Sequence, residues 1–249
     1  MPEPVLYLHG FPNSGFLWRK TTAVVSSRYH TITPDLPGFG DAELTYSPQS
    51  WRGLIDWLDS FVDGLGLGPV HLGVHDWGGL VGLPWMCEHP EKVRSLLITN
   101  TSFSSTDRWH ALATEWRKPD VGEEMMSGMT ADGFAAMMST MASKPLDAEA
   151  VAEYWKCLST PERRQAQLEM YRSLEFSMFE PYMDEFPKIA TGISRVVWGG
   201  DDPFVPAKIA HRFGERLGAE VTILEASHFV QEDAGEELGH LHLDFLASL

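Results

Sequence analysis

The stretch Leu72-Gly73-Val74-His75-Asp76-Trp77-Gly78-Gly79 decides the fold of this chain. An apolar strand ends there in one acidic residue, Asp76, and small residues open a helix that is predicted over 80–88. Such a strand–turn–helix elbow exposes its central side chain above a sheet and directs helix N-terminal N–H groups at the chemistry. Gly78 and Gly79 fit this interpretation because the turn is strained and the helix passes close to the sheet.

The residue at the tip of the elbow determines which reactions are open to it. Asp76 is ionised at pH 7 and needs no base to act as a nucleophile, so it can displace a leaving group from a saturated carbon and form an ester. The usual esterase mechanism needs a hydroxyl or thiol at this position, which Asp76 excludes. On this segment alone, a structural aspartate that caps a helix stays open as an alternative.

Outward from the elbow, short apolar strands alternate with helical patterns. Strands are predicted over 5–8, 29–33, 70–74, 95–99, 195–198 and 221–224. An amphipathic helix begins at Trp51 and ends at Gly64 and Gly66. This alternation predicts an α/β fold with a mostly parallel sheet and helices on both faces.

A long segment between two of these strands lacks any strand pattern. We expect a helical cap over 103–189, inserted into a core formed by 1–102 and 190–249. Nine of the eleven methionines lie in this segment, and six of them are close together: Met125, Met126, Met129, Met137, Met138 and Met141. Flexible thioethers suit an adaptable apolar cavity, but methionines at helical spacing are as typical of ordinary core packing.

The composition excludes several classes of function. The 249 residues carry 19 Lys+Arg against 35 Asp+Glu, a formal charge of −16, which disfavours nucleic acid and polyanionic substrates. No apolar run approaches the ~20 residues of a membrane span, and the N-terminus lacks the basic region of a signal peptide, so we expect a cytoplasmic protein. Cys87 and Cys157 are expected to be free thiols, and no disulfide, metal or cofactor is predicted.

Two later segments, each following a predicted strand, carry residues that can assist Asp76. Asp201 and Asp202 follow one strand, and His228 follows the last one. The order nucleophile, acid, histidine is that of the α/β-hydrolases. His228 is expected to activate the water that hydrolyses the ester, and Asp202 to orient and stabilise the imidazole.

The loop Tyr7-Leu8-His9-Gly10-Phe11-Pro12 follows the first strand. The backbone N–H groups of Phe11 and Trp77 are expected to form an oxyanion hole for the tetrahedral intermediate of the ester. His9 is expected to bind backbone groups of its own loop. The other histidines, including the pair His240 and His242, are expected to be solvated or structural, because no third metal ligand lies nearby.

Taken in order, five segments resemble the α/β-hydrolases that use an aspartate nucleophile, the group that contains haloalkane dehalogenases and epoxide hydrolases. The segments are His9-Gly10-Phe11-Pro12, 34–40, His75-Asp76-Trp77-Gly78-Gly79, 198–203 and 228–233. The resemblance extends over nearly the whole chain and implies that the cap covers Asp76. It also favours Asp202 over Asp201 as the acid, because Asp202 directly precedes Pro203, as in the family pattern.

The chain departs from that group near its beginning. Family members usually carry two more strands before the His-Gly loop, which this chain reaches by residue 9. An exposed sheet edge needs cover, which a second copy of the chain in a homodimer can supply.

The resemblance leaves two reactions open, which differ in the leaving group. A halide needs N–H donors, whereas an epoxide oxygen needs acids. The family pattern assigns one halide donor to the indole of Trp77, and the second is expected from the cap, with Trp116 as the first candidate and Trp109 as the second.

Single residues favour different reactions. Val74 and the placement of the acid at Asp202 resemble dehalogenases, whereas Phe11 and Tyr171 resemble epoxide hydrolases. Ring opening generally uses a pair of cap tyrosines, and the partner candidates for Tyr171 are Tyr154 and Tyr182.

We therefore predict a hydrolase of small apolar haloalkanes, with epoxide opening as the second hypothesis. A non-catalytic ligand receptor is the third, since fold alone does not determine function. The complete set Asp76, Asp202 and His228 argues against a receptor, which has no use for all three.

Overall fold

The computed structural model describes residues 2–44 and 49–249. Its strands are β1 (Pro4–Leu8), β2 (His30–Ile32), β3 (Val70–His75), β4 (Val93–Thr99), β5 (Ser194–Gly199) and β6 (Glu220–Leu224). They form one sheet with the order β2-β1-β3-β4-β5-β6, and every neighbouring pair is parallel. All six predicted strands are confirmed, and the α/β fold with them.

The strands differ in how deeply they are buried. β3 and β5 are buried along their whole length, and β5 contains the apolar run Val196-Val197-Trp198, whereas in β3 apolar residues alternate with histidines and a glycine. β2 and β6, at the two ends of the sheet, keep exposed residues. β2 is thus an edge strand within the described chain, and the cover of that edge by a second copy stays a prediction.

Helices connect the strands because a parallel pair cannot be joined by a tight turn. The α-helices are α1 (Arg19–Val25), α2 (Trp51–Leu65), α3 (Trp77–Glu88), α4 (Ala111–Trp116), α5 (Val121–Ser127), α6 (Ala131–Met138), α7 (Ala148–Trp155), α8 (Pro161–Ser173), α9 (Phe186–Ala190), α10 (Lys208–Leu217), α11 (Val230–Asp233) and α12 (Gly235–Ala247). In α2, Ser50 caps the first turn by accepting from the N–H of Gly53, and Gly66 ends the helix with a φ of 60°.

Helix α3 begins earlier than the sequence pattern indicated. It starts at Trp77, directly after Asp76, so the predicted start at residue 80 was wrong. A Cβ atom on Gly78 would lie 2.3 Å from the carbonyl oxygen of Leu8, and one on Gly79 would lie 2.1 Å from Oγ1 of Thr101. The glycines are therefore the first turn of a helix that packs on its neighbours without a gap, and not a loop before it.

The segment between β4 and β5 holds helices α4 to α9. Arg163 of α8 ties it to the core by donating to the carbonyl oxygens of Gly38, Gly40 and Ala42. Most methionines of this segment pack in or against the hydrophobic core, for example Met126 and Met138, which are buried. The expected domain boundaries at 103 and 189 stay predictions.

Several expectations about single residues are confirmed. Cys87 and Cys157 are free thiols. His242 is buried and bonded to the hydroxyl of Tyr7 at 2.7 Å, and Nδ1 of His9 bonds to the carbonyl oxygen of Gly10, in its own loop, at 2.9 Å.

Among residues 2–44 and 49–249 there is no cluster of side chains suited to a metal ion. Within the same ranges, no helix combines the length and apolar character that a membrane crossing requires.

Candidate active site

Asp76 occupies a strained turn between β3 and α3. Its φ is 47° and its ψ is −121°, a conformation that non-glycine residues rarely adopt. Its backbone N–H donates to the carbonyl of Asn100 at 3.2 Å, and its carbonyl accepts from the N–H of Gly79 at 2.9 Å and from the hydroxyl of Thr101 at 2.7 Å. These bonds hold the strained backbone and direct the carboxylate away from the sheet.

The carboxylate of Asp76 lies against the loop after β1. Its Oδ1 accepts from the backbone N–H of Phe11 at 2.7 Å. A Cβ on Gly10 would lie 2.2 Å from the same oxygen, so this close approach requires a glycine. Burial raises the pKa of Asp76, while the charge of His228 and the backbone N–H groups of Trp77 and Phe11 act in the opposite direction.

His228 connects Asp76 to a second carboxylate. Its Nε2 lies 3.8 Å from Oδ2 of Asp76, and its Nδ1 lies 2.7 Å from Oδ2 of Asp202. Burial alone would lower the pKa of His228, but the charge and hydrogen bond of Asp202, with a contribution from Asp76, outweigh it and raise the pKa above its ordinary 6.5. The structure thus brings the three predicted residues Asp76, Asp202 and His228 together at one edge of the sheet.

Both carboxylate oxygens of Asp202 accept hydrogen bonds. Its Oδ1 accepts from the backbone N–H groups of Phe204 at 2.7 Å and Val205 at 3.0 Å, and its Oδ2 accepts from Nδ2 of Asn100 at 2.8 Å as well as from His228. Burial opposes ionisation, but the charge and hydrogen bond of His228, together with these other donors, lower its pKa. The neighbouring Asp201 is exposed.

Asn100 is a site residue that the sequence pattern did not single out. It follows β4 with a φ of 35°, and its Oδ1 accepts from the backbone N–H of Gly199 at 2.9 Å. The amide is therefore oriented so that its Nδ2 donates to Asp202. A polar residue directly after a buried strand was the available signal, because the carboxyl ends of parallel strands form the usual site edge.

A cavity of about 320 Å³ opens over Asp76 and His228. Its aromatic wall consists of Phe11, Trp109, Trp116, Tyr171, Phe176 and Phe204. Of the six methionines between residues 125 and 141, only Met141 lines this cavity, so the expectation of a methionine-rich lining was wrong for the other five. Polar side chains from the segment before α4, Arg108 and His110 among them, line another part of the wall.

Three tryptophans form an aromatic cluster near Asp76. Trp77 is fully buried and stacks on Trp109 with ring centroids 5.7 Å apart, while Trp116 packs edge-on against Tyr171 at 5.3 Å. The indole nitrogens of Trp77 and Trp109 are buried, and neither makes a well-formed hydrogen bond within the described residues, although Trp77 approaches the hydroxyl of Tyr171. Trp109 and Trp116 line the cavity, whereas Trp77 lies behind this wall.

Tyr171 is the only tyrosine of the described residues that lines the cavity. Burial, and next the Asp76 charge, raise its pKa well above the ordinary 10.0, while the approach of the Trp77 indole N–H to its hydroxyl opposes them, so the phenol stays protonated at neutral pH. Neither candidate for a second tyrosine fits: Tyr154 donates to Glu232, and Tyr182 donates to Oε1 of Glu88 at 2.6 Å. Both were wrong candidates because these carboxylates hold their hydroxyls outside the cavity.

The segment after His228 also anchors the region between β4 and β5. The buried carboxylate of Asp233 accepts from the backbone N–H of Ser227 at 2.8 Å, of Ser143 at 2.9 Å and of Lys144 at 3.0 Å. The position of the histidine loop and that of the loop at residues 143–144 are therefore linked through one side chain.

The chain matches the Alpha/beta hydrolase family over residues 5–240. It is 28% identical to a haloalkane dehalogenase of Psychrobacter cryohalolentis over 98% of this chain and 83% of that protein. It is 30% identical to a cis-3-alkyl-4-alkyloxetan-2-one decarboxylase of Xanthomonas campestris pv. campestris over 95% of this chain and 85% of that protein. Among solved structures, an ancestral haloalkane dehalogenase superposes with a TM-score of 0.88 at 25% identity, covering 99% of this chain and 92% of the other.

Proposed function

This chain belongs to the α/β-hydrolase family and is a hydrolase, and from that premise we propose that it cleaves carbon–halogen bonds of haloalkanes through an ester on Asp76. The observation that carries the proposal is the carboxylate at the strained elbow, with Nε2 of His228 at 3.8 Å. A carboxylate attacks a saturated carbon directly, whereas a serine in this position would attack carbonyls.

In the first step, one oxygen of Asp76 displaces the halide. Oδ1 is engaged by the N–H of Phe11, so Oδ2, which faces His228, is the attacking oxygen. The new bond joins Oδ2 to the substrate carbon, the carbon–halogen bond breaks, and the halide leaves with the electron pair. The aromatic wall excludes water from the substrate, which favours ester formation over side reactions.

The unpartnered indole N–H groups support a halide as the leaving group. A buried donor without a partner costs about 1–3 kcal/mol, so such groups call for an explanation. Trp77 and Trp109 present two of them in stacked rings, and a halide ion bound between the rings and the cavity would accept from both. This arrangement favours Trp109 over Trp116 as the second donor, the reverse of the order expected from the sequence.

In the second step, water hydrolyses the ester. His228 takes a proton from the water through Nε2, and the charge of Asp202 stabilises the resulting imidazolium. The hydroxide adds to Cγ of Asp76, and the N–H groups of Phe11 and Trp77 stabilise the negative oxygen. The bond from Cγ to Oδ2 then breaks, and the alcohol leaves with that oxygen and the proton from His228. The carboxyl group of Asp76 releases the remaining water proton to solvent, which restores the carboxylate.

Epoxide opening is the second candidate, and one observation favours it. The hydroxyl of Tyr171 is protonated at neutral pH and lines the cavity with Asp76, so it can donate to an epoxide oxygen as the ring opens. A second tyrosine beside it is missing from the described part of the cavity wall.

Product analysis decides between these reactions. Purified enzyme is incubated with a series of 1-bromoalkanes and 1-chloroalkanes, a terminal epoxide and a cis-3,4-dialkyloxetan-2-one, the last chosen after the oxetanone decarboxylase relative. Halide release that is abolished by Asp76→Asn supports the proposal. Diol formation without halide release supports epoxide hydrolysis, and alkene formation from the oxetanone alone rejects both.

The halide site is tested separately by bromide binding. Trp109→Phe removes one N–H donor and keeps an aromatic ring, and Trp116→Phe is the matched control. A hydrogen bond to a charged group contributes about 1.5–3 kcal/mol, so we expect the bromide Kd of Trp109→Phe to rise about 10-fold to 100-fold. Equal bromide quenching of tryptophan fluorescence in Trp109→Phe and the wild type would remove Trp109 from the halide site.

A further inference from the structure

His110 is a cavity-lining histidine that the proposed mechanism does not use. It precedes α4, and its Nδ1 lies 3.2 Å from the backbone N–H of Ala113. That N–H is the donor, so Nδ1 must carry a lone pair. A neutral imidazole with an accepting Nδ1 carries its proton on Nε2.

The surroundings keep this ring neutral. Burial lowers the pKa of His110 to about 4, the charge of His228 adds to this effect, and Asp202 opposes it weakly. The ring packs against Phe204 at 4.8 Å and Trp116 at 6.3 Å, both of which are aromatic. At neutral pH, His110 therefore presents an uncharged N–H donor in a defined orientation.

The Nε2 donor is free to bind a ligand. His110 lines the cavity, and within residues 2–44 and 49–249 its Nε2 makes no hydrogen bond. Phe204 contacts both histidine rings, with its centroid 4.8 Å from that of His110 and 5.2 Å from that of His228. The His110 donor therefore lines the same cavity as the reacting groups, and a substrate held over Asp76 can reach it with another of its atoms.

We propose that the Nε2–H group of His110 binds an oxygen acceptor of the substrate, so that the preferred substrates are haloalkanes with a hydroxyl or ether oxygen beyond the reacting carbon. This inference rests on the proposed function and narrows its substrate class. An uncharged donor suits an uncharged acceptor, because a carboxylate entering the site would meet the Asp76 charge and a protein of net charge −16. The oxygen satisfies the free donor, which a plain alkyl chain leaves unpaired.

Two substitutions separate the donor from the helix cap. His110→Asn keeps a good N-cap but is too short to present a donor to the cavity, whereas His110→Phe keeps the aromatic volume and loses both the cap and the donor. His211→Asn, at an exposed histidine of α10, is the matched control. We expect only His110→Phe to lower the melting temperature.

The substrates are 1-bromohexane and 2-bromoethyl propyl ether, which has the same chain length with one oxygen. The ratio of their kcat/KM values, ether over alkane, is compared between enzymes, so that intrinsic reactivity cancels. We expect the ratio to fall about 2-fold to 10-fold in both His110 variants, the range for one neutral hydrogen bond, and to keep its wild-type value in His211→Asn. An unchanged ratio in both variants overturns the inference.

A binding measurement tests the role of His110 independently of whether the proposed function is correct. Calorimetric titration with 2-propoxyethanol and 1-hexanol needs no turnover, and we expect the wild type to prefer the ether alcohol and both variants to lose that preference. If neither bromide releases halide, the proposed function fails while the titration still tests His110. If the titration shows no preference in the wild type, the inference fails whatever the turnover.

Discussion

Replacement of Asp202 by asparagine should stop the enzyme halfway through its cycle. Oδ1 of Asp202 accepts from two backbone N–H groups, so the amide oxygen of an asparagine takes this place. The amide NH₂ then occupies the position of Oδ2, where it faces Nδ1 of His228 and Nδ2 of Asn100. Asn100 cannot easily turn, because its own oxygen is bonded to the N–H of Gly199.

The consequence for His228 is a change of tautomer. Facing a donor, Nδ1 must accept, and the proton of the neutral ring moves to Nε2, which then has no lone pair for the proton of water. In catalytic triads built on the same logic, this change lowers kcat about 10⁴-fold, or roughly 5 kcal/mol in the barrier. Ester formation needs only the carboxylate of Asp76, so it should persist.

Rapid-quench measurement of halide release tests this division. Asp202→Asn should release about one halide per active site in a burst and then turn over about 10⁴-fold more slowly than the wild type, in line with the loss in comparable triads. Intact-protein mass spectrometry should show the alkyl ester on Asp76 after the burst. Asp201→Asn, at the exposed neighbouring aspartate, is the control and should behave like the wild type. Loss of both burst and steady state, without an adduct, would refute the assignment of separate roles to the two carboxylates.

Three further outcomes are expected. Gly10→Ala places a Cβ 2.2 Å from Oδ1 of Asp76, so the halide burst itself should be lost while the fold, checked by circular dichroism, persists; a normal burst contradicts this. Asp233→Asn turns an amide NH₂ toward backbone donors and should cost about 1–3 kcal/mol of stability in thermal unfolding, with faster hydrogen exchange at Ser143; unchanged exchange speaks against the link. Because hydrolysis needs neutral His228, whose pKa is raised, steady-state turnover should fall as the pH drops through that pKa while the halide burst continues; parallel pH profiles would disagree.

Much of the fold follows from short-range pattern. Apolar residues mark the inner strands because both faces of these strands are buried. The alternation of strands with helices predicts a parallel sheet. Asp76, Asp202 and His228 each follow the carboxyl end of a strand, and in a parallel sheet these ends meet at one edge. Their proximity was therefore predictable, although the distances between them were not.

The cavity wall was less predictable, because it depends on packing between segments far apart in the chain. Tyr154 and Tyr182 matched the expected residue type, but the carboxylates of Glu232 and Glu88 hold their hydroxyls elsewhere. Trp109 stacks on Trp77, although these residues lie in segments of the chain that no local sequence pattern connects. The sequence does not distinguish His110 from other polar loop residues, because its tautomer depends on the backbone N–H of Ala113, which donates to Nδ1.

The hydrogen bond from Phe11 to Oδ1 makes the two oxygens of Asp76 inequivalent, so under the proposed mechanism the isotope in each alcohol depends on the preceding turnover. In H₂¹⁸O, we expect the first alcohol to carry the original oxygen of Asp76, while the water oxygen replaces it in the carboxylate. If the N–H of Phe11 prevents rotation of that carboxylate between turnovers, the second alcohol is fully labelled. If the carboxylate rotates freely, the label is divided between the two positions and only half of the second alcohol carries it.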